Sequence, residues 1–255
     1  MAQAVPPSGP MVLISDGIDP LLSVALDETL LGMEHHAPMV HLYRRNRPTV
    51  SLGYSRPLSD IDRTYCREHG ISVVRRISGG GTVYSSSGQW QLALLRSDKD
   101  RLRPRVDSLL ATHLEALRSA LAGELGPMGG RLEVVLPNDL YLDEGKVAGG
   151  ALRLSRTCQL FHATIVDSLM DDQLGKVLRS ADPPRRMGSI AASRGHPLGK
   201  EGVQRVAIAL LQHHGAQPPI AVTDTPPRAW VDAAQRLVEE RIGTERWLEG
   251  SSARR

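Results

Sequence analysis

The chain is short of several things at once, and each shortage removes a class of function. Cysteine is nearly missing, with only Cys66 and Cys158 in 255 residues. That excludes a disulfide framework and fits a reducing compartment, so a cytoplasmic protein is expected. Aromatic residues make up 4%, with a single phenylalanine. Rings for stacking on bases are therefore scarce, no continuous basic tract replaces them, and no nucleic-acid partner is expected. No apolar run approaches the length of a bilayer span, and Met1 to Pro10 has neither a positive n-region nor an apolar h-region, so no membrane association is expected. An excess of one charge is lacking too, since 31 basic residues against 28 acidic leave a net +3. Lysine is rare: 27 arginines accompany only Lys99, Lys146, Lys176 and Lys200. Where arginine supplies nearly all the positive charge, each lysine is a candidate for work that a guanidinium does badly.

What is present is a globular pattern, 41% hydrophobic and 23% charged, in a chain long enough to bury most of its unfolded surface. Met11 to Ser15 reads as a strand. Asp19-Pro20 opens a helix as N-cap and first turn, running to about Gly32 with Leu22, Leu26, Thr29, Leu30 and Met33 on its core stripe. Strands follow at Met39 to Arg45 and Thr49 to Leu52, then a helix at Leu58 to His69 stopped by Gly70, then a strand at Ile71 to Arg76. Gln89 to Leu95 alternates Trp90, Leu92 and Leu94 with Gln89 and Gln91, the pattern of a half-buried strand. A long helix over Arg105 to Leu125 buries Val106, Leu109, Leu110, His113, Leu114, Leu117 and Leu121, and Pro127 to Gly130 breaks it. Leu132 to Leu136, Leu140 to Leu142 and a strand from Lys146 make hairpins around Asp143-Glu144-Gly145, and Gln159 to Asp167 is a further strand. Helices are expected near Asp172 to Arg179, Gly202 to His214 and Arg228 to Ile242. The Pro- and Gly-rich segment from Asp182 to Gly199 is either a loop over a site or a connector. Adjacent long hairpins interrupted by a few helices imply an α+β fold, a largely antiparallel mixed sheet with flanking helices in one domain over 1–255.

Two stretches carry chemistry. Arg75-Arg76-Ile77-Ser78-Gly79-Gly80-Gly81-Thr82-Val83-Tyr84 places three glycines between two β-like segments. Such a run lets backbone N–H groups approach an anion, and two arginines at its mouth would add fixed positive charge. No Lys-Ser or Lys-Thr follows, so it is not a P-loop, and the β-like residues after it exclude a dinucleotide fingerprint. The same run also suits an ordinary loop. The second stretch is the hairpin Asn138 to Gly150, with Asp139 at a strand start, Lys146 past the turn and Gly149-Gly150 offering open backbone. A carboxylate, a lone ammonium and glycines on one hairpin could hold a metal-nucleotide and a carboxylate substrate together, or form a plain surface turn.

The order of motifs resembles the lipoate-protein ligase family, within the biotin and lipoate transferase superfamily. The glycine stretch, Asn138-Asp139, Gly145-Lys146-Val147-Ala148-Gly149 and Phe161-His162-Ala163-Thr164-Ile165 follow in the family's order, preceded by Arg47-Pro48-Thr49-Val50-Ser51-Leu52-Gly53 and closed by Glu245 to Gly250. The resemblance implies an ATP-dependent ligase that joins lipoate and ATP into lipoyl-adenylate, then passes the lipoyl group to a lysine of an acceptor protein. It implies ATP, Mg2+ and lipoate as ligands. Lys146 matches the catalytic lysine that touches the substrate carboxylate and the α-phosphate. Ser78, Gly79, Gly80, Gly81, Thr82, Val83 and Tyr84, with Arg76 beside them, match the loop around acyl chain and adenylate. Asn138 and Asp139 match the nucleotide and magnesium end, Asp139 as metal ligand, while Gly149, Gly150, Ala151, His162, Ala163 and Thr164 match the rest of the pocket. The implied partner is an apo lipoyl-domain protein, such as a 2-oxoacid dehydrogenase acyltransferase or the glycine-cleavage carrier. No accessory domain follows the catalytic pattern, so either that domain is dispensable here or a separate accessory subunit, a further candidate partner, supplies it. The chain departs from the family pattern at Ser85, where a histidine is usual, at Ala163, where a glycine is usual, and at Ala191 to Gly195, which only partly resembles an Arg-Val-Thr-Asn-like run.

Three rival readings remain. An octanoyl transferase working through a cysteine thioester needs a reactive thiol, yet Cys158 and His162 are four strand residues apart, roughly 13 Å. Cys66, with His69 one turn on, lies in a helix away from both motifs. A biotin-protein ligase would share the Asn138 hairpin but carry a Gly-Arg-Gly-Arg loop, which this chain lacks. A non-catalytic carrier-binding or sensing subunit would keep the pocket without its chemistry.

Overall fold

The computed structural model describes residues 7–97, 105–168, 172–179 and 186–250. Lys99 and residues 182–185 of the Pro- and Gly-rich segment lie outside them. The elements in chain order are β1 (Met11–Ile18), α1 (Pro20–Leu31), β2 (Met39–Arg45), β3 (Thr49–Leu52), α2 (Arg63–Glu68), β4 (Ser72–Arg75), β5 (Val83–Ser85), β6 (Trp90–Ser97), α3 (Val106–Leu125), β7 (Leu132–Val135), β8 (Asp139–Leu142), β9 (Gly145–Leu154), β10 (Cys158–Ile165), α4 (Leu174–Val177), α5 (Ile190–Arg194), α6 (Gly199–His213), β11 (Ala221–Thr223), α7 (Arg228–Leu237) and α8 (Glu245–Glu249). Eight strands form one mixed sheet in the order β11-β1-β2-β6-β10-β9-β8-β7, antiparallel from β2 to β7 and parallel between β11, β1 and β2. A second sheet, β4-β3-β5, packs beside it.

Alternation along the strands divides the large sheet into two faces. Val40, Leu42, Trp90, Leu92, Leu94, Phe161 and Ile165 point to one side, where α3 and α6 close a core with Leu114, Leu117, Leu121, Val203 and Leu210. Met39, Ala93, Leu95, Cys158 and Leu160 point to the other, under α1 and α7 with Leu26, Leu30 and Trp230. The helix caps follow the sequence: the Asp19 carboxylate accepts from the N–H groups of Leu21 and Leu22, and Pro20 occupies the first turn.

The structure corrects several expected elements. The helix foreseen over Leu58 to His69 is a 3-10 turn at Leu58–Asp60 followed by α2, because Ile61 is extended and Asp62 caps α2 through the Tyr65 N–H. In α1 the buried stripe is wider than expected: Ser23, Val24, Ala25 and Asp27 are buried, whereas Leu22 and Thr29 are only half-buried. Val106, expected in the core, is 52% exposed at the first position of α3. The helix foreseen at Asp172 to Arg179 shrinks to the single turn of α4, and that at Arg228 to Ile242 ends in a π-helical turn from Val238. Strand β6 is central, and its glutamine face is covered too.

Candidate functional site

On the α1 face of the large sheet, the strand registers place Tyr43, Gln91, Thr164, Gly149 and Asp139 side by side across β2, β6, β10, β9 and β8. A cavity of about 360 Å³ lies over this row, roofed by α1 and by the second sheet, and all five residues line it. Three strand spacings of about 4.8 Å, roughly 14 Å, separate its β2 wall from β9.

At the β8–β9 end the chain slips register by one residue, Leu140 facing Ala148 while Tyr141 faces Lys146. The bulge sends Val147 and Ala148 both into the core and brings Lys146 round to the cavity. Its Nζ sits 2.6 Å from an Asp139 carboxylate oxygen. Gly149 makes room for this pair: a Cβ there would lie 3.0 Å from Lys146 Cε and Nζ. The Asn138 carboxamide donates to the Gly150 carbonyl at 3.2 Å. Residues 186–188 run along the start of β9, with Met187 bridging to Lys146 and lining the cavity. Of the described part of the Pro- and Gly-rich segment, Met187 alone reaches the wall of the site.

The glycine loop crosses the opposite side, but its arginines do not stand at its mouth as free charges. Arg76, 8% exposed, donates to the Ser51, Gly79 and Gly81 carbonyls, each at 2.7 Å. Burial pushes its guanidinium down to about 10, still charged near neutrality. Arg75 turns away and binds the carbonyls of Gly53, Tyr54, Arg56, Trp247 and Leu248. Both knit backbone together, since a buried guanidinium has five donors to satisfy. Gly53 lets the loop close, because a Cβ there would collide with the Gly80 carbonyl oxygen. Arg76, Gly81, Thr82, Val83 and Tyr84 line the cavity, as do Asn138, Asp139, Lys146, Gly149, Gly150, Ala151, His162, Ala163 and Thr164. Ser78, Gly79 and Gly80 of the expected set do not.

The sequence reading missed a buried polar network at the β2 end. Asp27, on the inner face of α1, accepts from His41 Nδ1 at 2.8 Å, from the Tyr43 hydroxyl at 3.0 Å and from His162 Nε2 at 3.0 Å. The remaining ring nitrogens meet hydroxyls, His41 Nε2 that of Ser15 at 3.0 Å and His162 Nδ1 that of Ser78 at 2.7 Å. An ionised carboxylate only accepts, so Asp27 fixes which nitrogen of each ring carries the hydrogen facing it. Burial alone would raise the Asp27 carboxyl, but its histidine partners outweigh burial and hold it well below the usual carboxylate range. Burial, reinforced by Asp27, drives the Tyr43 phenol far upward, so it stays a donor. Ser78 thus supports the site through His162. The signal available in the sequence was a carboxylate four residues after Ser23 and three before Leu30, on an otherwise uncharged helix face.

Neither cysteine lines the cavity. Cys158 is packed in the core, and burial raises the thiol of Cys66. Among the described residues no group of three or more His, Cys, Asp or Glu side chains could cage a metal ion, and no helix is long and apolar enough to cross a membrane.

With this geometry in place, comparison with known proteins is specific. A family model described as the lipoyl protein ligase A/B catalytic domain matches residues 19–212. Lipoate–protein ligase 1 of Staphylococcus aureus is 26% identical over 162 residues, 63% of this chain and 47% of its own, so the match spans about half of that relative. Octanoyltransferase LipM of Moorella thermoacetica is 29% identical over 212 residues, 75% of this chain and 77% of that one. In three dimensions the chain is similar to the bi-partite lipoate protein ligase of Thermoplasma acidophilum, described with its E2 lipoyl domain, with a TM-score of 0.80 and 21% identity over 95% of this chain and 96% of that one.

Proposed function

The chain belongs to the lipoyl protein ligase A/B catalytic-domain family, and from that premise we propose that it is an ATP-dependent lipoate-protein ligase. A lipoate carboxylate oxygen attacks the α-phosphorus of ATP, the bond to the β-phosphate breaks, and pyrophosphate leaves. A lysine amine of an acceptor domain then attacks the acyl carbon of lipoyl-adenylate, loses a proton, and AMP departs.

The observation that carries this reading is the Lys146–Asp139 pair at one end of a long cavity. A compact ammonium can bridge a substrate carboxylate and a phosphate oxygen while charge builds at phosphorus, and Asp139, 2.6 Å away, aims it before substrate arrives. Magnesium entering with the nucleotide would neutralise phosphate charge. With no cage of three acidic or histidine side chains among the described residues, Asp139 beside Asn138 suits an ion that takes one carboxylate and leaves its other positions to phosphates and water. His162, oriented by Asp27, and the backbone of Gly149 and Gly150 shape the floor along which the acyl chain lies.

Transfer through a cysteine thioester is the rival that the LipM likeness raises. It needs a thiol facing the cavity, and both cysteines are packed elsewhere, which favours the adenylate. By analogy with the bi-partite Thermoplasma ligase and its lipoyl domain, the proposed acceptor is a lipoyl-domain protein, with an accessory subunit supplied separately if transfer needs one.

Pyrophosphate release from ATP and magnesium with lipoate tests the reading. Release by the wild type that disappears in Lys146→Ala, at an unchanged melting temperature, is expected. Full turnover in that variant would sink the assignment.

A further inference from the structure

One buried donor in the wall of the cavity has no acceptor. Gln91, on β6 between β2 and β10, lines the cavity and is 8% exposed. The Thr164 hydroxyl donates to its side-chain oxygen at 2.7 Å, which leaves the amide nitrogen at the other end. Among the described residues that Nε2 has no hydrogen-bond partner. A buried N–H in this state is costly and rare unless something entering the site completes it.

Strand register sets its place along the cavity. Gln91 pairs with Thr164 and Thr164 with Gly149, so Gln91 stands two strand spacings, roughly 10 Å, from Gly149. The Lys146 ammonium is so close to Gly149 that a Cβ there would lie 3.0 Å from it. With a carboxylate held at Lys146, an extended eight-carbon chain laid across β10 brings its far end to Gln91. The polar neighbours at that end are taken or of the wrong kind. The Tyr43 hydroxyl donates to Asp27, His162 spends its ring nitrogens on Asp27 and Ser78, and the free atom of Gln89 is an oxygen that only accepts.

We propose that Gln91 determines specificity at the far end of the acyl site, its Nε2 donating to a ring sulfur of lipoate. The proposal rests on the ligase reading for where the carboxylate lies, and adds how the opposite end is told from a plain hydrocarbon. A dithiolane sulfur accepts and has no hydrogen to give, so it matches a lone donor and needs no acceptor from the wall. A methyl or methylene in the same place leaves the N–H unpaired. Sulfur is a weak acceptor, so the bond contributes selectivity, while burial of the apolar chain supplies most of the affinity. Thr164 is a positioning residue in this recognition, because its hydroxyl takes the amide oxygen and leaves the nitrogen for the ligand.

Calorimetric binding of lipoate against 5-cyclopentylpentanoate, the same shape with methylenes in place of both sulfurs, tests this. Pyrophosphate release with each acid, ATP and magnesium is measured beside it. The wild type is expected to bind lipoate about fivefold more tightly, the worth of one modest hydrogen bond. Gln91→Leu should abolish or reverse that preference, and Thr164→Val should reduce it, which keeps the test open if Gln91→Leu does not fold. Equal binding of the two acids by the wild type, an unchanged preference in the variant that folds, or no binding of either acid overturns the proposal. Lipoate-driven pyrophosphate release without a preference for sulfur would leave the ligase standing and remove Gln91 from recognition. A preference lost in Gln91→Leu, with no pyrophosphate released from either acid, would keep this subsite and sink the adenylating reading.

Discussion

Two neighbouring glycines separate chemistry from packing at the scale of single residues. A Cβ on Gly149 meets only the flexible end of Lys146 and, at 3.4 Å, an oxygen of Asp139. Gly149→Ala should therefore fold normally, push the ammonium aside and lower turnover on the order of 100-fold, the usual cost of misplacing a reacting group by about 1 Å. A Cβ on Gly150 would instead stand 2.7 Å from the Phe161 ring and 3.1 Å from Leu114. Gly150→Ala should cost about 1–3 kcal/mol of stability by overpacking. Steady-state kinetics with thermal melts on both variants checks the contrast, and a large melting shift in Gly149→Ala would contradict it. The Lys146, Asp139 and Gly149 grouping was legible in the sequence because one hairpin carries all three. Asp27, His41 and Tyr43 were not, because they meet His162 only after α1 is laid across β2 and β10, and no local pattern announces that crossing. Arg76 shows the converse: its place beside the glycines was legible, but that its guanidinium serves backbone carbonyls depends on where Ser51 comes to lie.

Helix α3 and its partner α6 bring two histidines together at the scale of elements. His113 Nδ1 lies 3.2 Å from His214 Nε2, and His113 also reaches the Gln159 side chain at 3.3 Å. Burial, helped by the Arg96 charge, pushes His113 down to about 4; burial, then the charges of His113 and Arg96, push His214 down to about 3. Between those values and the ordinary 6.5, the unfolded chain binds protons that the folded chain refuses. Stability is therefore full above about pH 6.5 and falls as pH drops, by on the order of 2 kcal/mol at pH 5 for the buried His113 and by less for the half-buried, more solvent-screened His214. Melting curves at pH 7 and pH 5 should show this loss, smaller in the double variant His113→Gln, His214→Gln; an equal loss there would place the acid sensitivity elsewhere. The amphipathic pattern of α3 marked His113 as inward-facing, but which helix it would meet belongs to tertiary packing. Strand β11 escaped the sequence reading for a related reason. Ala221 and Val222 are exposed, and the strand exists because Met11 to Leu13 offer it an open edge.

The whole molecule is tied together at Arg75, a residue with no surface on the cavity. Its guanidinium donates to carbonyls in the 53–56 turn and in α8, and the Trp247 indole N–H returns a bond to the Arg75 carbonyl at 3.1 Å. One planar fork thus joins β4, the turn whose Gly53 seats the glycine loop, and a helix more than 170 positions later in the chain. The sequence showed Arg75 beside the loop and a family-like ending at Glu245 to Gly250, but nothing local says that one holds the other. Arg75→Met would leave these carbonyls buried without a donor, at about 1–3 kcal/mol for each that water cannot reach. A fall in melting temperature of roughly 10 °C is expected for a loss near 3–4 kcal/mol in a chain of this size. Lysine, with a compact ammonium in place of the fork, should recover little of it. Because the turn carries the loop, lipoate binding should weaken together with stability, and proteolysis should begin at residues 245–250. A variant that melts normally yet loses binding would mean instead that Arg75 acts on the ligand directly, which its orientation away from the cavity argues against.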